Sequence, residues 1–157
     1  MVPISADRRA AGGMTAGGVV VTHVHNDFRK GTLMTTRTVL IPDATHPITI
    51  SPTGSRVTVR VGGVTVAETD RALSLAEANY PVAQYIPLED VDQSLLDRTT
   101  TQTYCPYKGD ASYYSVKTAD GTAETDLIWT YEHPYPSVAE IADHVAFYPN
   151  RAEITVA

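Results

Sequence analysis

Arg56-Val57-Thr58-Val59-Arg60-Val61-Gly62-Gly63-Val64-Thr65-Val66 decides the fold. Both flanking runs alternate apolar with polar residues, so on extended backbone each places its valines on one face. Gly62-Gly63 between them supplies a two-residue loop in which both central residues need positive φ. A register centred on that loop sets Val61 opposite Val64 and Val59 opposite Val66. The valines then share one buried face, with Thr58, Arg60 and Thr65 on the other.

Outward from this hairpin the pattern stays β. His46 to Ile50 alternates and ends in the turn cluster Pro52-Thr53-Gly54. Ala72 to Leu75 is a short apolar strand, and Val82 to Ile86 is bounded by Pro81 and Pro87. Asp90 to Leu96 reads as a single helical turn. Ser112 to Lys117 and Thr125 to Tyr131 flank Asp120-Gly121, a turn dipeptide in a loop longer than two residues. Ser137-Val138-Ala139-Glu140 fits a capping box, with Val138, Ile141 and Val145 on one face of the helix behind it. Ala146 to Tyr148 and Glu153 to Val156 close a sheet. Many short strands with one short C-terminal helix and few helical turns predict a mainly antiparallel β domain.

Composition narrows the partners. The 157 residues suit one domain, and the net charge of −6 gives no basic surface for nucleic acid or an anionic membrane. No apolar run approaches the roughly 18 residues that span a bilayer. A single cysteine excludes an internal disulfide and an all-cysteine zinc site. The expectation is a cytoplasmic chain with no cofactor, no metal, and no nucleic-acid or membrane partner. The sequence specifies no oligomeric state.

Residues 1–33 stand apart. They hold Gly12-Gly13, Gly17-Gly18 and four of the twelve basic residues against Asp7 and Asp27, a charge of +2 that leaves −8 for the remainder. Val19-Val20-Val21 is too short for a signal-peptide core. The reading is an upstream extension, disordered in solution, with Met34 as the natural start and one domain over 34–157. His23-Val24-His25 with Asp27 would put two imidazoles on one strand face, as metal ligands require; paired histidines in such a segment also occur without function.

Chemistry concentrates in Thr103 to Tyr114. This stretch holds the sole cysteine, one of three lysines and four of nine tyrosines. Cys105-Pro106-Tyr107-Lys108-Gly109 reads as a tight turn, since proline presets φ and glycine takes a positive one. Eleven of twelve aromatics lie between Tyr80 and Tyr148. Those rings suit a pocket wall that also orients a polar ligand, and equally the packing between two sheets.

His46-Pro-Ile-Thr-Ile, Asp70-Arg71-Ala-Leu, Tyr85-Ile-Pro, Cys105-Pro-Tyr-Lys-Gly-Asp-Ala-Ser-Tyr, Trp129-Thr-Tyr and His144-Val-Ala-Phe-Tyr-Pro resemble, in order and spacing, the bacterial domain of unknown function 427. That family is also catalogued as a nucleotidyltransferase domain. The resemblance implies a β-tent (Mss4-like) fold, in which two antiparallel sheets lean together at a steep angle over an aromatic pocket. Several β-tent relatives pin the sheets with zinc on paired Cys-x-x-Cys motifs. One cysteine removes that metal and the redox chemistry of the methionine-sulfoxide-reducing relatives, leaving the pocket as what transfers.

The transferase label fits the residues poorly. Gly54-Ser55 followed by Glu68 and Asp70 mimics the spacing of a polymerase-β-like site, which needs a helix after Gly-Ser and two carboxylates for Mg²⁺. The valine hairpin occupies the place of that helix. No P-loop or Rossmann glycine pattern occurs either.

Three function classes follow. The favoured one is a domain binding a small polar or anionic molecule between the sheets. Its wall would be Tyr85, Tyr107, Tyr113, Trp129 and Tyr148, with Arg71, Lys108 and His144 as polar groups. The second is an enzyme on a small substrate, with Cys105 as a nucleophile activated by Lys108 and His144 as base. Each has a plain structural alternative: a buried thiol, a lysine paired with Asp110 or Asp90, a histidine against a helix C-terminus. The third is a protein-interaction module.

Overall fold

The computed structural model describes residues 36–157 and the strand Val21–Val24. Met34, His25, Asp27 and most of the 1–33 extension, with the metal reading placed there, lie outside the described residues. Val21–Val24 (β1) runs antiparallel to Thr36–Val39 (β2) as a two-stranded ribbon.

The rest is the expected mainly β fold of two antiparallel sheets. One sheet has three strands: Glu153–Val156 (β12), Val57–Val61 (β4) and Val64–Thr69 (β5), in that order. The second has seven. Ile48–Pro52 (β3), Leu73–Glu77 (β6) and Ala83–Pro87 (β7) form one leg. His144–Phe147 (β11), Ala123–Thr130 (β10), Gly109–Lys117 (β9) and Leu96–Cys105 (β8) form the other.

The Gly-Gly hairpin forms, with Gly62 and Gly63 both at positive φ and Val61 opposite Val64. Beyond that pair the register differs from expectation. Thr65 faces Arg60 and Ala67 faces Val59, so Val66 is the extra residue of a bulge. The bulge turns both Val66 and Ala67 inward, where they join Val57, Val59 and Val61.

Three further differences have local causes. The helix after Tyr135 is a 3-10 turn, Pro136–Ile141, entered at Tyr135 and Pro136, so Ser137 lies inside it and forms no cap. Val138 departs from helical angles, Ala142 ends the turn with a ψ of 142°, and Asp143 follows at a φ of 60°, leaving Val145 on β11. Asp90 to Leu96 holds the end of one 3-10 turn, Leu88–Asp90, and a second, Gln93–Leu95, followed at once by the ten-residue β8. Threonine-rich and half exposed, β8 is an edge strand carried by β-branched propensity and not by alternation.

The seven-stranded sheet buries both faces. On one, Ile86, Val116, Ile128, Val145 and Phe147 pack on the valines of the three-stranded sheet. On the other, Leu75, Tyr85, Tyr113, Trp129 and Tyr131 pack beneath Val138 and Ile141 of the 3-10 turn. Apolar burial of this extent is the main stabilising contribution, at about 25 cal/mol per Å². No described helix is long and apolar enough to cross a membrane.

Candidate functional site

The two legs of the large sheet join weakly. β7 and β11 pair only at Pro87–His144 and Ile86–Val145, then part toward Ala83 and Phe147. A cavity of about 470 Å³ opens where they part. Trp129 and Phe147 form its wall, and Ile154 and Val156 of β12 close one side. Tyr80, Pro81 and Val82 of the β6–β7 loop form the other side. Gln84 contributes an amide already engaged: it accepts from Thr53 Oγ1 at 2.6 Å and donates to Ser74 Oγ at 3.1 Å.

Trp129 links this cavity to the interior. Its Nε1–H donates to the Tyr85 hydroxyl at 3.1 Å, and its ring meets Tyr148 edge-on with centroids 4.9 Å apart. Tyr113 shares a 2.8 Å hydroxyl bond with Thr103. The Tyr131 hydroxyl is buried without a hydrogen-bond partner. Burial pushes the phenols of Tyr85 and Tyr131 far above their ordinary range, with the Trp129 donor opposing the shift at Tyr85. Tyr148 is raised for the same reason.

The legs meet again at the β8–β9 turn. Cys105 O accepts from Lys108 N at 3.2 Å, and Gly109 takes a φ of 109° to re-enter β9 opposite Cys105. A Cβ on Gly109 would be strained at that φ and would stand a tight 3.3 Å from the His133 carbonyl oxygen, so both favour glycine. The turn aims Lys108 inward against Glu77 at the end of β6, and both side chains are 1% exposed. The second Glu77 oxygen lies 2.8 Å from His46 Nε2. The His46 ring stacks on Tyr107, centroids 4.2 Å apart and planes 6° from parallel. Asp43 fixes the loop before it, accepting from Thr45 N and His46 N at 2.8 and 3.0 Å. Bonds from Thr45 chiefly hold the Asp43 carboxyl below its usual range.

The residues anticipated from sequence therefore divide. Tyr85, Tyr113, Trp129 and Tyr148 come together in the interior, and of these Trp129 alone lines the cavity. Tyr107, Lys108 and Cys105 gather at the turn, with Cys105 buried and free. Lys108 pairs with Glu77; Asp110 instead takes Arg37 at 2.6 Å, and Asp90 takes Arg71. Arg71 stands apart on the surface, 59% exposed, held by Glu89 and Asp90 at 2.7 Å each. His144 begins β11, not a helix end, and its Nδ1 bonds the Ala142 carbonyl at 2.7 Å. No described hydrogen bond or ion pair joins it to Cys105.

His46 and Glu77 were absent from the anticipated site. The signal for Glu77 was a carboxylate on the same strand face as Leu73 and Leu75, where an apolar residue belongs. Gly54 and Ser55 lie in the turn before β4, so no helix follows them, and Glu68 and Asp70 both bind Arg56. Among the described residues no cluster of three or more potential ligands could hold a metal.

The family model described as Domain of unknown function (DUF427) matches residues 49–157. No curated protein matches the chain.

Proposed function

The chain belongs to the DUF427 family, and from that premise and the geometry above we propose that it is a small-molecule-binding domain. Its ligand occupies the cavity where β7 and β11 part. One observation carries this reading. Among the described residues, Tyr80, Val82 and Val156 are three of four exposed large hydrophobic side chains, and all three line that cavity. Exposed apolar side chains gathered round a concave, aromatic-walled space mark a binding site. A volume near 470 Å³ also falls within the range of drug-sized pockets.

The lining revises the ligand class. Among the described residues no charged side chain lines the cavity, so the proposed ligand has an apolar or aromatic body, in place of the polar or anionic one expected with Arg71, Lys108 and His144 in the wall. Tyr85, Tyr113 and Tyr148 support the site from behind, through Trp129. The enzymatic alternative on Cys105, Lys108 and His144 has less support, since the first two are buried and the third is bonded to backbone. Nucleotidyl transfer has less still. Net charge of −6 keeps nucleic acid and anionic membrane outside the proposed partners, and a cytoplasmic setting remains part of the proposal.

A thermal-shift screen against aromatic and amphipathic metabolites tests it. A ligand at a hundredfold excess over its Kd adds about 2.7 kcal/mol. The shift should vanish in Val82→Asp; a shift unchanged by that variant contradicts the site.

A further inference from the structure

We propose that His46 is a general base, with Nδ1 as its reactive atom and Glu77 and Lys108 as positioning residues. The argument begins at the ion pair. Glu77 and Lys108 are both 1% exposed and bonded to each other. They form a buried ion pair, in a place where either charge alone would be strongly penalised. An ionised carboxylate has no proton to donate. The 2.8 Å bond from His46 Nε2 to Glu77 Oε1 is therefore an Nε2–H donation. In a neutral imidazole that leaves the lone pair on Nδ1.

That nitrogen sits on a side chain held in place. No described residue hydrogen-bonds Nδ1, and the side chain is 23% exposed. The Tyr107 ring fixes the imidazole plane from one side, and the Asp43 turn fixes its backbone. The titratable groups facing it are Glu77 from β6, Tyr107 and Lys108 from the β8–β9 turn, and Asp43 from its own loop. A base hydrogen-bonded to a buried carboxylate, with its other nitrogen free, is the arrangement that orients histidine for proton transfer in hydrolases.

A base held this way suits water attack on an activated acyl compound, the class proposed for it. Nδ1 takes a proton as the water oxygen bonds to the carbonyl carbon. The bond to the leaving oxygen then breaks, and the imidazolium returns its proton to that oxygen, so ester and water become acid and alcohol with His46 neutral again.

The probe is p-nitrophenyl acetate with the full chain. The protein-dependent rate should fall about a hundredfold in His46→Gln, while His133→Gln keeps it. A His46→Gln rate equal to that of the parent overturns the proposal. Long-range ¹H–¹⁵N spectra of the unmodified protein give a second test: an Nε2–H tautomer is expected, and an Nδ1–H tautomer overturns it. Glu77→Asp keeps a charge for Lys108 but shortens the reach to His46, so the Nε2–H signature should be lost from the same spectra. An unchanged tautomer removes Glu77 from its positioning role.

Discussion

Glu77 and Lys108, 31 positions apart, meet as a buried ion pair that ties the end of β6 to the β8–β9 turn. The two legs of the large sheet share only two paired positions at β7–β11, so this contact closes the opposite end of the same fold. Charge is an expensive way to do it. Lys108→Met leaves the buried Glu77 carboxylate with His46 but without its cation, and should cost about 3–5 kcal/mol. The double variant Glu77→Leu, Lys108→Met should recover most of that loss. Urea denaturation of the three proteins checks it; additive losses in the double variant would show that the two charges do not depend on each other.

Tyr131 carries the reverse prediction. Its hydroxyl is buried with no partner, so Tyr131→Phe removes a desolvated polar atom and leaves the ring in place. Stability should rise by about 1 kcal/mol or more. A loss of that size on denaturation would mean that the hydroxyl is satisfied in solution.

The buried phenols set an alkaline limit. Tyr85 and Tyr131 are raised above the ordinary value of 10.0 by burial. They stay protonated in the fold while the unfolded chain ionises near that ordinary value, so the unfolded state binds fewer protons there. Stability is therefore intact below about pH 10 and falls as pH rises beyond it. Absorbance at the phenolate band should show these tyrosines ionising together with loss of near-ultraviolet dichroism. Ionisation with the fold retained would contradict the assignment.

Gly109→Ala tests the turn that presents Lys108. A side chain would be forced to a φ of 109° and to 3.3 Å from the His133 carbonyl. A loss of about 1–3 kcal/mol is expected by thermal denaturation. Unchanged stability would mean that the backbone path through the turn differs.

Much of this fold was legible because valine alternation and Gly-Gly act locally. The hairpin, both turn dipeptides and most strands follow from spacing alone. The Val66 bulge was not legible, because an extra inward residue gains burial only once the opposing sheet is in place. β8 was missed because Leu96 to Cys105 is a half-exposed edge with little alternation. The capping box at Ser137 failed because Pro136 and Tyr135 start the turn earlier. For the site, the aromatic concentration pointed to Trp129 but not to the aliphatic rim. Val82, Ile154 and Val156 become neighbours only through sheet topology, and Glu77 finds Lys108 only when the legs close.

The cavity is the central claim, and Trp129, the one tryptophan in the chain, reports on it directly. The measurement is energy transfer from that indole to 1-anilinonaphthalene-8-sulfonate, titrated into the native protein and into Val82→Asp and Val156→Asp. Saturable transfer in the parent, lost in both rim variants while their melting temperatures hold, is the predicted result. Transfer of equal strength in all three would place the probe elsewhere and contradict a binding site between β7 and β11.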